Sequence, residues 1–195
     1  MTEIKDLRDF ISALDSDGQL VKVSNPVSIE YELADVAASI AREGKGACLF
    51  ENVTESPWPV FCGGVASHSR AAVALGCELS EVADTMENAL DPSNGVSPIR
   101  TDKADWQDNT ISGSEIDLKN LPILTHSRGD SGPFITGAVT VSKDPISGRG
   151  NLSYNRMSKL DKNILGFNVN EWRDVCLLYT SPSPRDQRGS GVAGW

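Results

Sequence analysis

The chain has little of what most catalytic motifs require. Only two histidines occur, His68 and His126, and there is no GxSxG stretch, so the strand-to-helix elbow of a serine hydrolase is excluded. His126 has Ser127 and Asp130 beside it, but a Ser/His/Asp triad is recognised by spatial geometry and not by proximity in sequence. The cysteines, Cys48, Cys62, Cys77 and Cys176, include no CxxC pair and have no neighbouring histidine to complete a zinc set. Buried free thiols are expected, because free cysteine behaves as a small hydrophobe. Positive charge is also short: 18 Lys and Arg stand against 27 Asp and Glu, a formal net charge of -9, the opposite of the balance a nucleic-acid binder needs. No apolar run approaches the roughly 20 residues of a bilayer span. The opening MTEIKDLRDF lacks the basic and then apolar layout of a secretory signal. No membrane span and a cytoplasmic location are expected.

What is there reads as alternating helices and strands. The 195 residues suffice for one large domain or two small ones. Leu7, Phe10, Ile11 and Leu14 recur at helical spacing, predicting a helix over 6–14 that Asp17-Gly18 ends. A strand over 20–23 follows, broken by Asn25-Pro26, and then a helix over 30–42 with Leu33, Val36, Ala37, Ile40 and Ala41 inward. Strands are predicted over 47–53 and 60–65, a helix capped by Ser69, and another capped by Ser80 over 81–90. These elements imply an α/β or α+β layer domain. Pro92, Asn94, Gly95 and Pro98, with the polar run to Asn109, make 91–113 a linker or long connection, so the domain boundary is placed near Gly113. Beyond it, strands are predicted over 134–142, 152–160 and 164–169. There is no internal repeat.

The densest chemistry lies in NLSYNR, Asn151 to Arg156, and in the glycine-rich run that feeds it, Gly129 to Gly150. In an extended segment Asn151, Ser153 and Asn155 share one face and Leu152, Tyr154 and Arg156 the other. One face is then uniformly polar, which fits either a solvated edge strand or a ligand-binding one. The neighbouring Gly129, Gly132, Gly137, Gly148 and Gly150 let a backbone approach a ligand closely, and a phosphate or a metal would suit that setting.

GDSGPFIT (Gly129 to Thr136), a hydrophobic strand, the Asp144-Pro145 turn and the N-x-x-x-x-R spacing of Asn151 and Arg156 resemble the UbiD family of reversible decarboxylases, which use prenylated FMN. The opening DLRDFISALDSDGQLVKVSNPV and the later GACLFENV are similar to that family's amino-terminal domain, so the resemblance covers 6–173. It implies an α+β fold: an amino-terminal α/β layer domain over 1–113, followed over 114–174 by the start of a split β-barrel flavin-binding domain, truncated. It further implies a carboxy-lyase that reversibly removes carbon dioxide from an aromatic or α,β-unsaturated carboxylic acid. The cofactor would come from a flavin prenyltransferase, and the full-length parent would be a homo-oligomer, this fragment being inactive.

The same resemblance assigns residues. Asn151 falls on a ligand of the divalent metal, typically manganese, that bridges protein and cofactor phosphate, with potassium nearby; an amide oxygen suits a hard cation. Thr136, Ser153, Tyr154, Asn155 and Arg156 fall on cofactor-contacting positions, although the family commonly has Ile-Tyr-Arg or Ile-Ala-Arg where this chain has Tyr154-Asn155-Arg156. Arg156 falls on a catalytic arginine of a Glu-Arg-Glu network, where a planar guanidinium can hold a carboxylate bidentately. The family's metal-binding histidine should fall at Arg173 or Asp174, and neither is histidine. With a one-residue gap, Arg173 aligns with a cofactor-contacting arginine. Neither catalytic glutamate has a counterpart in this chain.

CLLYTSPSPRD, Cys176 to Asp186, resembles the conceptual translation of a transposon-end adapter from sequencing libraries, so native sequence is expected to stop at about Asp174 or Val175 and 175–195 to be a non-native tail. Two other functions stand beside the decarboxylase: an FMN-dependent split-barrel oxidoreductase, and a non-catalytic α/β binding module. Only the decarboxylase accounts for Asn151, Arg156 and the amino-terminal pattern together.

Overall fold

The computed structural model describes residues 4–167, apart from 98, 100, 145, 146 and 149. Asp6 starts the first helix, α1 (Leu7–Ser16), by accepting from the backbone N–H groups of Arg8 and Asp9 at 2.8 and 2.9 Å. It thereby satisfies donors that the first turn cannot. The helix stripe buries Phe10 and Leu14, and Gly18, with φ 69°, turns the chain into β1 (Leu20–Val23). A crossover through α2 (Glu32–Arg42) brings β2 (Ala47–Phe50) back parallel to β1, the connection a parallel pair requires. β3 (Val60–Cys62) then pairs antiparallel with β2, giving the order β1-β2-β3.

Period-2 alternation splits this sheet's side chains between two cores. Ala47 faces Phe10, Leu14, Leu20, Phe61, Val73 and Ala74, beneath α1 and α3 (His68–Leu75). Cys48 and Phe50 face the other way, packing with Val27, Leu33 and Val53 and with Val36, Ala37 and Ile40 of α2. The result is helix, sheet and helix in layers, with Phe10 and Phe61 meeting edge to face at 6.1 Å between ring centroids.

Several boundaries differ from expectation. The second helix begins at Glu32 because Tyr31 adopts φ 68° and ψ -44°, and the Glu32 N–H donates to the Glu30 carbonyl at 2.8 Å. This is a γ-turn of the rare positive-φ kind, costly for a non-glycine residue. Distant partners hold it. The Tyr31 N–H donates to the Thr125 carbonyl, the Thr125 N–H donates to Ile29, and the Glu55 carboxylate accepts from the Ser28 hydroxyl and the Ile29 N–H. Ala41 is exposed. The third helix is capped by Ser67, two residues before the expected Ser69, whose hydroxyl instead donates to Gln19. Ser80 lies within a 3-10 turn, Leu79–Glu81, closed by a reciprocal Glu78–Glu81 capping box that leads into α4 (Val82–Leu90). The strand expected over 47–53 ends at Phe50, with Val53 bridging Val27, and that expected over 60–65 ends at Cys62, before Gly63 at φ 75°.

Two compact units form, Met1–Ser131 and Gly132 onward. Residues 114–131 fall with the first, where Ile123 is buried and Leu124 packs on the α2 side of the sheet. In the second unit, the strand expected over 134–142 is two, β4 (Phe134–Ile135) and β5 (Val139–Lys143). That expected over 152–160 is also two, β6 (Gly150–Tyr154) and β7 (Met157–Asp161). β5 pairs with β6, while β4, β7 and β8 (Ile164–Phe167) form a separate antiparallel sheet in the order β4-β7-β8. Each long run bends between its halves and changes sheet, as strands do at the corners of barrels. The end of the third expected strand lies outside the described residues. Among the described residues no helix is long and apolar enough to cross a membrane.

Candidate functional site

The β5–β6 ribbon carries most of the residues singled out above. Its register sets Ser142 opposite Asn151, Thr140 opposite Ser153, and Val139 and Val141 opposite Tyr154 and Leu152. Directly opposed residues share a face, so the ribbon has one polar and one apolar side. Burial is inverted relative to an ordinary half-covered sheet. Thr140, Ser142, Asn151 and Ser153 are half-buried, whereas Val141, Leu152 and Tyr154 are 77%, 69% and 70% exposed.

The polar row is tied together by its own hydrogen bonds. Asn155, only 6% exposed, follows the strand, and its backbone N–H donates to the Ala138 carbonyl at 3.0 Å. Its Nδ2 donates to Thr140 Oγ1 at 3.1 Å, to Ser153 Oγ at 2.7 Å and to the Ser153 carbonyl at 3.1 Å. Further along, Asn151 Nδ2 donates to Ser142 Oγ at 3.4 Å. That bond orients the Asn151 amide and leaves its Oδ1, a hard oxygen donor, without a protein partner among the described residues.

Arg156 is exposed and lies over the Phe134 ring of β4, with Cζ 5.7 Å from the centroid. A cation held over an aromatic face keeps N–H groups for a carboxylate or a phosphate. The structure therefore gathers Asn151, Ser153 and Asn155 into one row, sets Arg156 on a neighbouring aromatic, and turns Tyr154 to the apolar side. Thr136 sits exposed in the bend between β4 and β5. Arg173 lies outside the described residues.

Thr140 and Ser142 are members of the row that sequence reasoning passed over, although the alternation of VTVSK, Val139 to Lys143, signals them. Gly132 has φ 141°, and a Cβ added at Gly132, Gly137 or Gly150 would meet nothing within 4 Å. No crowding by the protein itself requires glycine at those places. His126, Ser127 and Asp130 form no triad: Asp130 accepts the backbone N–H of Ser127 at 2.9 Å, and Ser127 Oγ accepts that of Gly129 at 3.3 Å, the pattern of a side-chain-closed turn.

Among the described residues no group of three or more His, Cys, Asp or Glu could hold a metal ion. Asn151 alone offers one neutral oxygen, far short of a divalent cation's shell, so these residues by themselves do not make a metal site. A phosphorylated flavin fits them better, because a row of amide and hydroxyl groups, and an exposed guanidinium with no ion pair among the described residues, match the polar and anionic edges of such a ligand.

Two family models match the chain. The 3-octaprenyl-4-hydroxybenzoate carboxy-lyase N-terminal domain matches residues 11–90, and the 3-octaprenyl-4-hydroxybenzoate carboxy-lyase Rift-related domain matches 97–181, ending inside the adapter-like stretch. Among solved structures, the chain is similar to the UbiD-class enzyme HmfF from Pelotomaculum thermopropionicum in complex with FMN, with 28% identity and a TM-score of 0.79, covering 90% of this chain and 39% of that one. An evolved dimeric form of HmfF in complex with prFMN matches at 27% identity and a TM-score of 0.72, over 84% of this chain and 38% of that one. Apo 3,4-dihydroxybenzoic acid decarboxylase (AroY) from Klebsiella pneumoniae matches at 26% identity and a TM-score of 0.74, over 90% and 39%. The chain thus spans less than half the length of these relatives.

Proposed function

From the premise that this chain belongs to the UbiD carboxy-lyase family, we propose that it forms the amino-terminal part of a decarboxylase acting reversibly on an aromatic or α,β-unsaturated carboxylic acid with prenylated FMN. The observation that carries this reading is the polar row from Asn155 to Asn151 on one face of the ribbon, followed at once in sequence by Arg156, whose guanidinium lies over Phe134. Such a row orients a planar, hydrogen-bonding ligand, and such an arginine takes a carboxylate. Prenylated FMN, when bound, supplies the electron sink for carbon–carbon cleavage, while the protein contributes orientation and electrostatics. Ser153 and Asn155 hold the polar edge of the cofactor in register, with Thr136 bordering it, while Tyr154 stands on the ribbon's other face. Asn151 would offer its Oδ1 as one ligand to a divalent cation, manganese in the family it resembles, with potassium nearby. Arg156 binds the substrate carboxylate and fixes its plane. The longer protein works in the cytoplasm as a homo-oligomer, with its cofactor supplied by a flavin prenyltransferase.

The test is made on the full-length parent, recovered from the source locus and expressed in a host that makes the prenylated cofactor. Carbon dioxide release and isotope exchange are measured against a panel of aryl and acrylic acids. Release from at least one acid is expected, with Asn151→Ala losing bound flavin and Arg156→Ala retaining flavin while losing activity by about 100-fold, the scale of removing one preorganised charge-stabilising group. A flavin-loaded parent that releases nothing and instead oxidises NAD(P)H would transfer the assignment to a flavin oxidoreductase.

A further inference from the structure

Cys48 and Cys62 are separated by 14 positions in sequence and play no part in the site described above. The fold sets them directly opposite each other across the antiparallel β2–β3 pair, on the face that packs against α2. Opposed residues in such a ladder have Cα atoms about 4.5 to 5.5 Å apart, inside the range of about 4.4 to 6.8 Å over which disulfides close. Both side chains belong to the same packed cluster beneath α2. Cys48 is buried; Cys62 is half-buried and lies on β3, the edge strand of its sheet, where a small solute can reach it.

We infer that Cys48 and Cys62 form an oxidation site, a cross-strand dithiol that closes to an intramolecular disulfide and staples β3 to β2 when the chain meets a peroxide. In the first step a cysteine thiolate attacks one peroxide oxygen, breaking the O–O bond, giving a sulfenic acid and releasing water once the leaving hydroxide is protonated. The second sulfur then attacks the sulfenic sulfur, the S–S bond forms, and a second water leaves. The two thiols together lose two electrons and two protons, and one peroxide is reduced to two waters.

The order of the two sulfurs follows from access. Burial raises both thiols, Cys62 to about 12, and for Cys48 the Arg70 guanidinium works against the rise. Cys62, half-buried on the edge strand, is the sulfur a peroxide meets first, and the buried Cys48 opposite it is the one that resolves it. Both reactions quicken as pH rises, because the thiolate is the nucleophile.

Trypsin leaves both residues in one peptide, 46–70, and puts Cys77 in another, 71–100. The full chain is treated with hydrogen peroxide over a concentration series, blocked with N-ethylmaleimide, digested and weighed. Peptide 46–70 should become two hydrogens lighter and take no maleimide, reverting to two labels after dithiothreitol, while Cys77 still accepts label. In Cys48→Ala, Cys62 should instead be trapped by dimedone as the sulfenic acid. The inference is overturned if peptide 46–70 keeps two labels at every peroxide concentration the fold survives, or if Cys48 or Cys62 joins Cys77 or Cys176 in preference to its opposite number.

Discussion

The sheet of the first unit is built of nearly continuous apolar runs and the ribbon of the second of alternating polar and apolar residues, and the apolar residues of the two meet opposite fates. In β1–β2–β3, each face meets helices, and Phe50, Leu14 and Leu33 are sealed almost completely from water. In β5–β6 the apolar residues Val141 and Leu152 point to solvent, while hydroxyl and amide groups are drawn inward and bonded to one another. Every buried hydrophobic residue among those described belongs to the first unit, and the second contributes only Asn155 to the buried set. Stability and chemistry are thus divided between them. One region is held by apolar burial, and the other holds hydrogen-bonding groups in place through a register that a hydrophobic core does not dictate.

That division breaks most easily at the core. Leu14→Ala or Leu33→Ala should cost the first unit about 3 to 5 kcal/mol, the range for truncating a sealed leucine, read as a lower urea midpoint; a loss below about 1 kcal/mol would mean the layers do not seal these side chains. Asn155→Ala should cost about 1 to 3 kcal/mol, because Thr140 and Ser153 lose the donor they share. Hydrogen exchange should quicken in β5 and β6 and stay unchanged in β1 to β3, and faster exchange in both units would erase the contrast.

A smaller effect separates the units by pH. Cys62 titrates near 9 when unfolded and is pushed up to about 12 by burial in the fold. The folded chain therefore keeps a proton that the unfolded chain gives up, and stability is fully present below pH 9 and is lost as pH climbs towards 12. Urea midpoints of the first unit should decline over that window under reducing conditions, less so in Cys62→Ala. The smallest effect is expected on the exposed side of the ribbon. Val141→Lys should change stability by no more than about 0.5 kcal/mol, whereas a large loss would show that this face is covered after all.

Much of the first unit could be read directly. The stripe of Leu7, Phe10, Ile11 and Leu14 yields a helix where its spacing says, and β1 has the expected ends. The errors at α2 and at the cap of α3 share one cause, that distant groups claim those residues first, whereas at α4 the local Glu78–Glu81 capping box displaces Ser80. Thr125 and Glu55 pin the chain before Glu32, and Gln19 takes the hydroxyl of Ser69. In the second unit the alternation of Asn151, Ser153 and Asn155 was legible, but the bends that split each long strand were not. A run of residues with strand character does not say which partner each half will pair with.

By itself, the amino-acid order determined the periods: which residues fall on one stripe of α1, that NLSYNR carries amides and a hydroxyl on one side, and that an arginine comes next. Only the tertiary structure decided that the polar side of the ribbon is the sheltered one, that Arg156 lies on Phe134, and that Cys48 faces Cys62. The reason is physical. Backbone geometry sets side-chain direction over a few residues, whereas burial and opposition depend on which remote segment arrives at that surface.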